Sequence, residues 1–201
     1  MKTVSIIGAG GHTRTLINIL TLNGVHINCI YEEHLKEKDE RILGYAVKHI
    51  DEILPNEQLV ISKGNVSERN RLWEKYKSQI WSENTIHPKA LIESLEVGLR
   101  NQISAQCYLT PTSKVGNDNV IYSGTILEHE AEIGNQNIIT VNVSICGRVK
   151  IGNNCYLGAG SIILPNIRIC DEVTIGAGAV VTKNIVESGV YVGIPAKKRK
   201  Q

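Results

Sequence analysis

The residues in this chain best suited to chemistry are Glu128, His129 and Glu130, set in a stretch otherwise rich in Gly, Asn, Ile and Val. An imidazole beside a carboxylate is an acid/base pair: the ring takes a proton from an attacking amine or hydroxyl, and the carboxylate orients the ring and raises its basicity. The other histidines stand at 12, 26, 34, 49 and 87, so His129 is alone in the second half of the chain. The alternative is a packed interface histidine with no chemistry. Eighteen residues on, Gly147 follows Cys146, and a backbone N–H there could hold a carbonyl as it becomes an oxyanion. No hydroxyl or thiol nucleophile is paired with His129, which favours direct transfer over a covalent intermediate.

The spacing of these residues follows from a repeat. Aliphatic side chains stand six apart from Leu91 through Val97, Ile103 and Leu109 to Val181, a register that neither a helix nor a strand period produces. Gly98, Gly116, Gly134 and Gly152 fall eighteen apart, so three hexads make one coil of a triangular prism, and the run from Val97 to Val181 implies about five coils. The runs GNDN, GNQN and GNNC recur at one corner, where Asn tolerates left-handed backbone and can satisfy exposed backbone groups. Aliphatics fill such a prism, so chemistry belongs on its outer faces or between prisms. Small residues at Gly158, Ala159, Gly176 and Ala177 either make tight corners or leave a groove for a long thin ligand.

Ahead of the repeat, up to about residue 84, charged residues and helix formers dominate. Thr3 to Ile7 read as a buried strand, and Gly8, Gly10 and Gly11 lead into a helix carrying Leu16, Ile17, Ile19 and Leu20. Free N–H groups at that helix start suit a diphosphate. The absence of a G-x-x-x-x-G-K-[ST] run argues against a nucleoside triphosphatase. Thr13 replaces the third glycine of a dinucleotide fingerprint, and the segment has no room for a second mononucleotide half. A strand from Ile27 to Tyr31 ends in Glu32 and Glu33, and another from Leu59 to Ile61 leads into Ser62, Lys63, Gly64 and Asn65. Lys63 and Arg69 could balance phosphate charge. Leu72, Trp73 and Tyr76 are expected to form the packed stripe of the following helix.

Composition narrows the classes further. A formal net charge of +2 implies no nucleic-acid groove, and the basic run Lys197, Lys198, Arg199, Lys200 is expected to be a solvated end. The five cysteines are an odd number without paired metal spacing, and the chain reads as reduced and cytoplasmic. The short apolar run at the start is too brief for a membrane span. Zinc needs three protein ligands, which one repeat histidine does not supply, so no metal is expected.

Together GAGGH at residues 8 to 12, the acidic pair, the K-G-N segment followed by Arg69, the hexad repeat and the closing Gly193, Ile194, Pro195, Ala196 and Lys197 resemble the hexapeptide-repeat sugar acyltransferases. The kinship is with sialic-acid O-acetyltransferases and bacillosamine-type N-acetyltransferases. The resemblance implies a left-handed parallel β-helix at 85–201 preceded by a Rossmann-like, nucleotide-sugar-binding domain at 1–84. It also implies a homotrimer that moves an acetyl group from acetyl-CoA to a nucleotide-linked amino sugar in surface glycan synthesis. By match of position, His129 is the base, Glu130 tunes it and Gly147 faces the thioester oxygen. Gly147, Arg148, Gly158, Ala159, Gly176, Ala177, Ile194, Pro195 and Lys197 are expected along acetyl-CoA. Gly8, Gly10, Gly11, His12, Glu32, Glu33, Lys63, Gly64, Asn65, Arg69 and Tyr122 are expected about the acceptor.

The sequence departs from the family in three places. Ile138 stands where a second histidine helps hold acetyl-CoA, and a histidine restored there is expected to tighten that binding. Tyr122 replaces an asparagine near the acceptor sugar. Arg148 follows Gly147 in place of a glycine, as a phosphate ligand or an ion-pair partner at a trimer seam. O-acetylation of a sialic-acid-like sugar uses the same parts, and a catalytically silent scaffold is the reading that the altered 138–142 run favours.

Overall fold

The computed structural model describes residues 2–37 and 39–199, so Lys200 of the basic run lies outside the described residues. The chain forms two compact units that divide at Pro88, slightly beyond the change of texture.

In the first unit β1 (Thr3–Ile7), β2 (His26–Glu32), β3 (Arg41–Ile42), β4 (Tyr45–His49) and β5 (Leu59–Ile61) make one sheet in the order β3-β4-β2-β1-β5. All pairings are parallel except β3 with β4. The central strands are aliphatic because both faces are covered. Helix α1 (Gly11–Leu22) buries Thr13, Leu16, Ile17, Ile19 and Leu20, of which Leu16, Ile17 and Leu20 pack with Val4, Ile6 and Ile30. Helix α2 (Val66–Tyr76) sets Leu72 and Tyr76 into a second cluster with Ile7, Tyr31 and Ile61, while Trp73 is only partly buried there.

From Lys89 onward the chain is a parallel β-solenoid of strands two to four residues long. Face one is a six-stranded sheet of Leu91–Ile92, Tyr108–Leu109, Ile126–Leu127, Ser144–Ile145, Ile162–Ile163 and Val180–Val181, of which five rungs lie between Val97 and Val181, in line with the about five coils expected there. Face two runs from Glu96–Val97 through Lys114–Val115, Glu132–Ile133 and Lys150–Ile151 to Arg168–Ile169. Face three holds Gln102–Ile103, Val120–Ile121, Ile138–Ile139 and Tyr156–Leu157. In each strand the second residue points inward, and Ile103, Leu109, Ile121, Leu127, Ile139 and Ile145 are fully buried. The hexad register slips at its start. Leu91 pairs with Tyr108 and Ile92 with Leu109, so Ile92 takes the inward column and Leu91 is 56 % exposed.

Two asparagine columns tie the coils together at the edge between faces two and three. In the inner column the Asn101 Oδ1 accepts the Asn119 N–H (2.9 Å), Asn119 accepts from Asn137 (2.9 Å) and Asn137 from Cys155 (2.7 Å). In the outer column the direction reverses: Asn117 accepts from Leu99, Asn135 from Asn117, Asn153 from Asn135 and Asp171 from Asn153. Each amide thus satisfies a corner N–H that has no ladder partner. Lys197, Lys198 and Arg199 are solvated, as expected, but they are not a free end. Lys197–Lys198 pair antiparallel with Tyr191–Val192, and Lys198 Nζ meets Glu187 at 2.9 Å.

Candidate functional site

Residues 128–131 turn the chain from face one to face two, and the same edge carries Cys146, Gly147 and Arg148 one coil later. The His129 ring lies over Gly147: a Cβ added to that glycine would collide with the ring's Cε1 and Nε2. Glycine is therefore required here for close approach. Gly147 is buried, and its N–H has no partner among the described residues, while its carbonyl accepts from Asn166 at 3.0 Å.

On the other side of the ring, His129 Nδ1 stands 3.4 Å from Glu130 Oε1. Glu130 Oε2 takes a bond from Arg148 Nε at 3.0 Å, and the Glu130 N–H donates to Thr112 Oγ1 in the preceding coil at 3.1 Å. The Arg148 guanidinium, then the imidazole, hold the Glu130 carboxyl below the ordinary carboxylate range. Burial, then Glu128, pushes the Cys146 thiol up, which does not suit it as a nucleophile. The site is open, with the His129 side chain 56 % exposed.

Beside it on face two runs a ladder whose charge alternates through Glu96, Lys114, Glu132 and Lys150 and ends on a second cation, Arg168, with Lys114 paired to Glu96 at 2.8 Å and Lys150 to Glu132 at 3.0 Å. A groove of about 360 Å³ lies along it and includes Thr112, Glu130, Arg148 and Asn166. The sequence reading did not find Thr112 or this ladder. The signal was available as opposite charges spaced eighteen apart.

The other residues expected along acetyl-CoA stand elsewhere. Gly158, Ala159, Gly176 and Ala177 lie on the edge between faces three and one, as does Tyr122, across face one from His129. One chain does not bring them to Gly147. Gly158 is also needed for packing, since a Cβ would strike the backbone of Gly176 and Ala177. Ile194 and Pro195 are exposed, in the turn between the strands that hold Val192 and Lys197. Ile138, at the position of the second histidine, is 1 % exposed and offers no surface to a ligand.

In the first unit, Gly8 has φ +117°, and a Cβ there would strike the Ser62 carbonyl. Thr13 explains the missing third glycine. It is fully buried, its Oγ1 donates to the Gly8 carbonyl at 2.7 Å and it shares a bond with Ser62 Oγ at 3.0 Å. Gly10 caps α1 without a side chain, Gly11 opens the helix, and His12 is half-buried beside it. Glu32 accepts from the Ala9 N–H (2.8 Å), the Glu33 N–H (2.8 Å) and Lys63 Nζ (2.8 Å). Burial pushes its carboxyl up, but the Lys63 bond and the two backbone bonds outweigh that and hold it below the ordinary range. Arg71 does the same for Glu33 through a direct ion pair.

Two expected ligand contacts are spent inside the fold. Arg69 is 5 % exposed and donates to the Ile61 carbonyl at 2.6 Å, because it falls on the inner face of α2. Asn65 caps α2 by accepting from the Glu68 N–H at 3.0 Å, and Gly64 precedes it with open space where a Cβ would stand.

Residues 148–183 match the family Bacterial transferase hexapeptide (six repeats). No curated protein sequence matches the chain. Among solved structures, the chain is similar to PerB from Caulobacter crescentus in complex with CoA and GDP-perosamine. The two are 27 % identical with a TM-score of 0.89, over 100 % of this chain and 98 % of that one. A mutant of perosamine N-acetyltransferase from the same organism gives 26 % and 0.90 with the same coverage. The acetyltransferase domain of PglB from Neisseria gonorrhoeae, in complex with acetyl coenzyme A, shares the fold at 20 % identity and TM-score 0.86, over 98 % of this chain and 99 % of that one. The chain thus resembles hexapeptide-repeat sugar acetyltransferases along its whole length. Among the described residues no helix is long and apolar enough to cross a membrane.

Proposed function

We propose that the protein is an acetyl-CoA-dependent N-acetyltransferase that acts on the amino group of a nucleotide-linked sugar in surface glycan synthesis. The observation that carries this reading is the His129 ring held over Gly147 with Glu130 at its far nitrogen. With Nδ1 directed to Glu130, the free base is Nε2, on the side of the unpaired Gly147 N–H. The amine nitrogen attacks the thioester carbonyl as Nε2 takes its proton, and the Gly147 N–H meets the oxygen as it gains charge. Collapse forms the amide, breaks the C–S bond and returns the proton to the departing CoA sulfur.

The solenoid in this reading is a left-handed β-helix in a cytoplasmic homotrimer. Face one supports the trimer: its outward column is Tyr108, Ile126, Ser144, Ile162 and Val180, with Ile126 38 % and Ile162 37 % exposed. That face lies between the edge with His129 and the edge with Gly158 and Gly176, so covering it with a second copy sets one chain's His129 edge toward the next chain's small-residue edge. The first unit serves as a Rossmann-like domain, with the nucleotide at Gly8, Gly10 and Gly11 and the acidic pair beside it.

The test is release of CoA thiol from acetyl-CoA over a panel of nucleotide-linked 3-amino and 4-amino sugars and sialic acids, with product masses. One amino sugar is expected to turn over, and His129→Ala is expected to abolish transfer in a folded protein. Turnover with sialic acids alone would move the reaction to oxygen, and full activity in His129→Ala would remove the proposed base.

A further inference from the structure

We propose that Arg148 is a positioning residue for His129: it grips one oxygen of Glu130 and thereby presents the other to the imidazole Nδ1, fixing the ring over Gly147. The proposal rests on the reading of His129 as the base and adds a residue to it.

Its foundation is the stacking of coils. Thr112, Glu130 and Arg148 occupy one column at intervals of eighteen residues. Glu130 and Arg148 have the same left-handed backbone, with φ of +59° and +60°, so their side chains leave the edge in the same direction, one strand spacing apart. The Arg148 N–H also donates to the His129 carbonyl at 3.0 Å. The backbone of the third coil is thus tied to the histidine it serves, while its side chain reaches the carboxylate. From the first coil, Thr112 Oγ1 accepts the Glu130 N–H. Glu130 is held at three points: its N–H by Thr112, Oε2 by Arg148 and Oε1 by His129.

Among the described residues, the neighbouring cation of the ladder, Lys150, is committed to Glu132 through both carboxylate oxygens. The Nδ1 to Oε1 distance of 3.4 Å is long, so the ring would swing readily if the carboxylate could rotate. Arg148 and Glu130 are 59 % and 53 % exposed, and an exposed pair contributes little to folding. An effect on geometry with little effect on stability is therefore the expected signature.

The test combines kinetics with a readout that needs no turnover. In Arg148→Ala, kcat is expected to fall about 10-fold while KM for acetyl-CoA stays within about two-fold, since orientation and not binding is lost. Arg148→Lys, which keeps the charge, is expected to recover part of kcat. In protein labelled with 13C at histidine and glycine, the cross-peak between His129 ring protons and Gly147 α-protons is expected in the parent and lost in Arg148→Ala. The Glu130 carboxyl should titrate higher in that variant, toward the ordinary range. An unchanged kcat with a raised KM for acetyl-CoA would make Arg148 a phosphate ligand and overturn the proposal, as would an unchanged cross-peak. If the parent transfers no acetyl group, the base reading fails by itself, while the cross-peak and the carboxyl titration still decide whether Arg148 sets the ring.

Discussion

Removing one amide from the inner asparagine column should cost far more than removing one from the outer column, although the two make similar bonds. Asn119 is fully buried. Its Oδ1 accepts the Asn137 N–H at 2.9 Å, and its Nδ2 donates to Asn101 Oδ1 at 3.0 Å and to the Gly134 carbonyl at 2.9 Å. Asn119→Ala orphans the Asn137 N–H where water does not reach, a cost of about 1–3 kcal/mol, and loses two further bonds at ~1 kcal/mol each. The total expected is about 3–5 kcal/mol. Asn135 is exposed, and its Oδ1 accepts from the Asn117 N–H at 2.8 Å. Water can replace that acceptor, so Asn135→Ala should cost less than ~1 kcal/mol. Urea unfolding followed by circular dichroism, at one protein concentration, reads both. Equal losses in the two variants would refute the view that burial of the orphaned N–H sets the cost.

Lys63→Met should destabilise the protein by about 2 kcal/mol at pH 7, less than a fully buried pair would lose because Glu32 keeps its two backbone bonds. The Glu32 carboxyl is depressed in the folded state, so its contribution is present above the ordinary carboxylate pKa and is lost as pH falls through the depressed value. The gap between parent and variant in urea midpoint should therefore narrow as the solution is acidified, and a gap independent of pH would count against the pairing. Ile138→His, expected from the family comparison to tighten acetyl-CoA binding, should instead lower stability by about 2 kcal/mol and leave that KM unimproved, because Ile138 is buried. A lower KM in this variant would show that the position reaches the donor.

The solenoid was legible because each hexad repeats the same local problem. One inward aliphatic and one corner amide recur often enough for the period to stand out. The slip at Leu91 was not legible, because a hydrophobic residue satisfies the pattern whichever side it faces and only pairing with Tyr108 decides. The His129 and Gly147 pair followed from the eighteen-residue period. Arg148 was ambiguous because its partner was sought in a ligand or another chain, whereas Glu130 lies eighteen residues back. In the first unit β1, β2, β5 and both helices were readable from their apolar runs, whereas β3 and β4 were not, because Arg41, Tyr45, Lys48 and His49 leave them no apolar run. The burial of Arg69 was not, since a long cationic side chain on a short helix reads as surface until the Ile61 carbonyl appears beside it.

The two asparagine columns also make the solenoid a ruler graduated in eighteens. Every amide bonds to the residue one full coil away, so a segment of eighteen residues can be added or removed and each cut end still meets an equivalent partner. An insertion of six would instead rotate every later residue to the next face, placing charged side chains of face two where apolar ones belong. Length is thus free to change only in whole coils, each moving the parts beyond it by about 4.8 Å along the prism. Within such a lineage, the reach between the His129 edge and anything bound farther along would be adjusted in discrete steps, with the acid/base pair left intact.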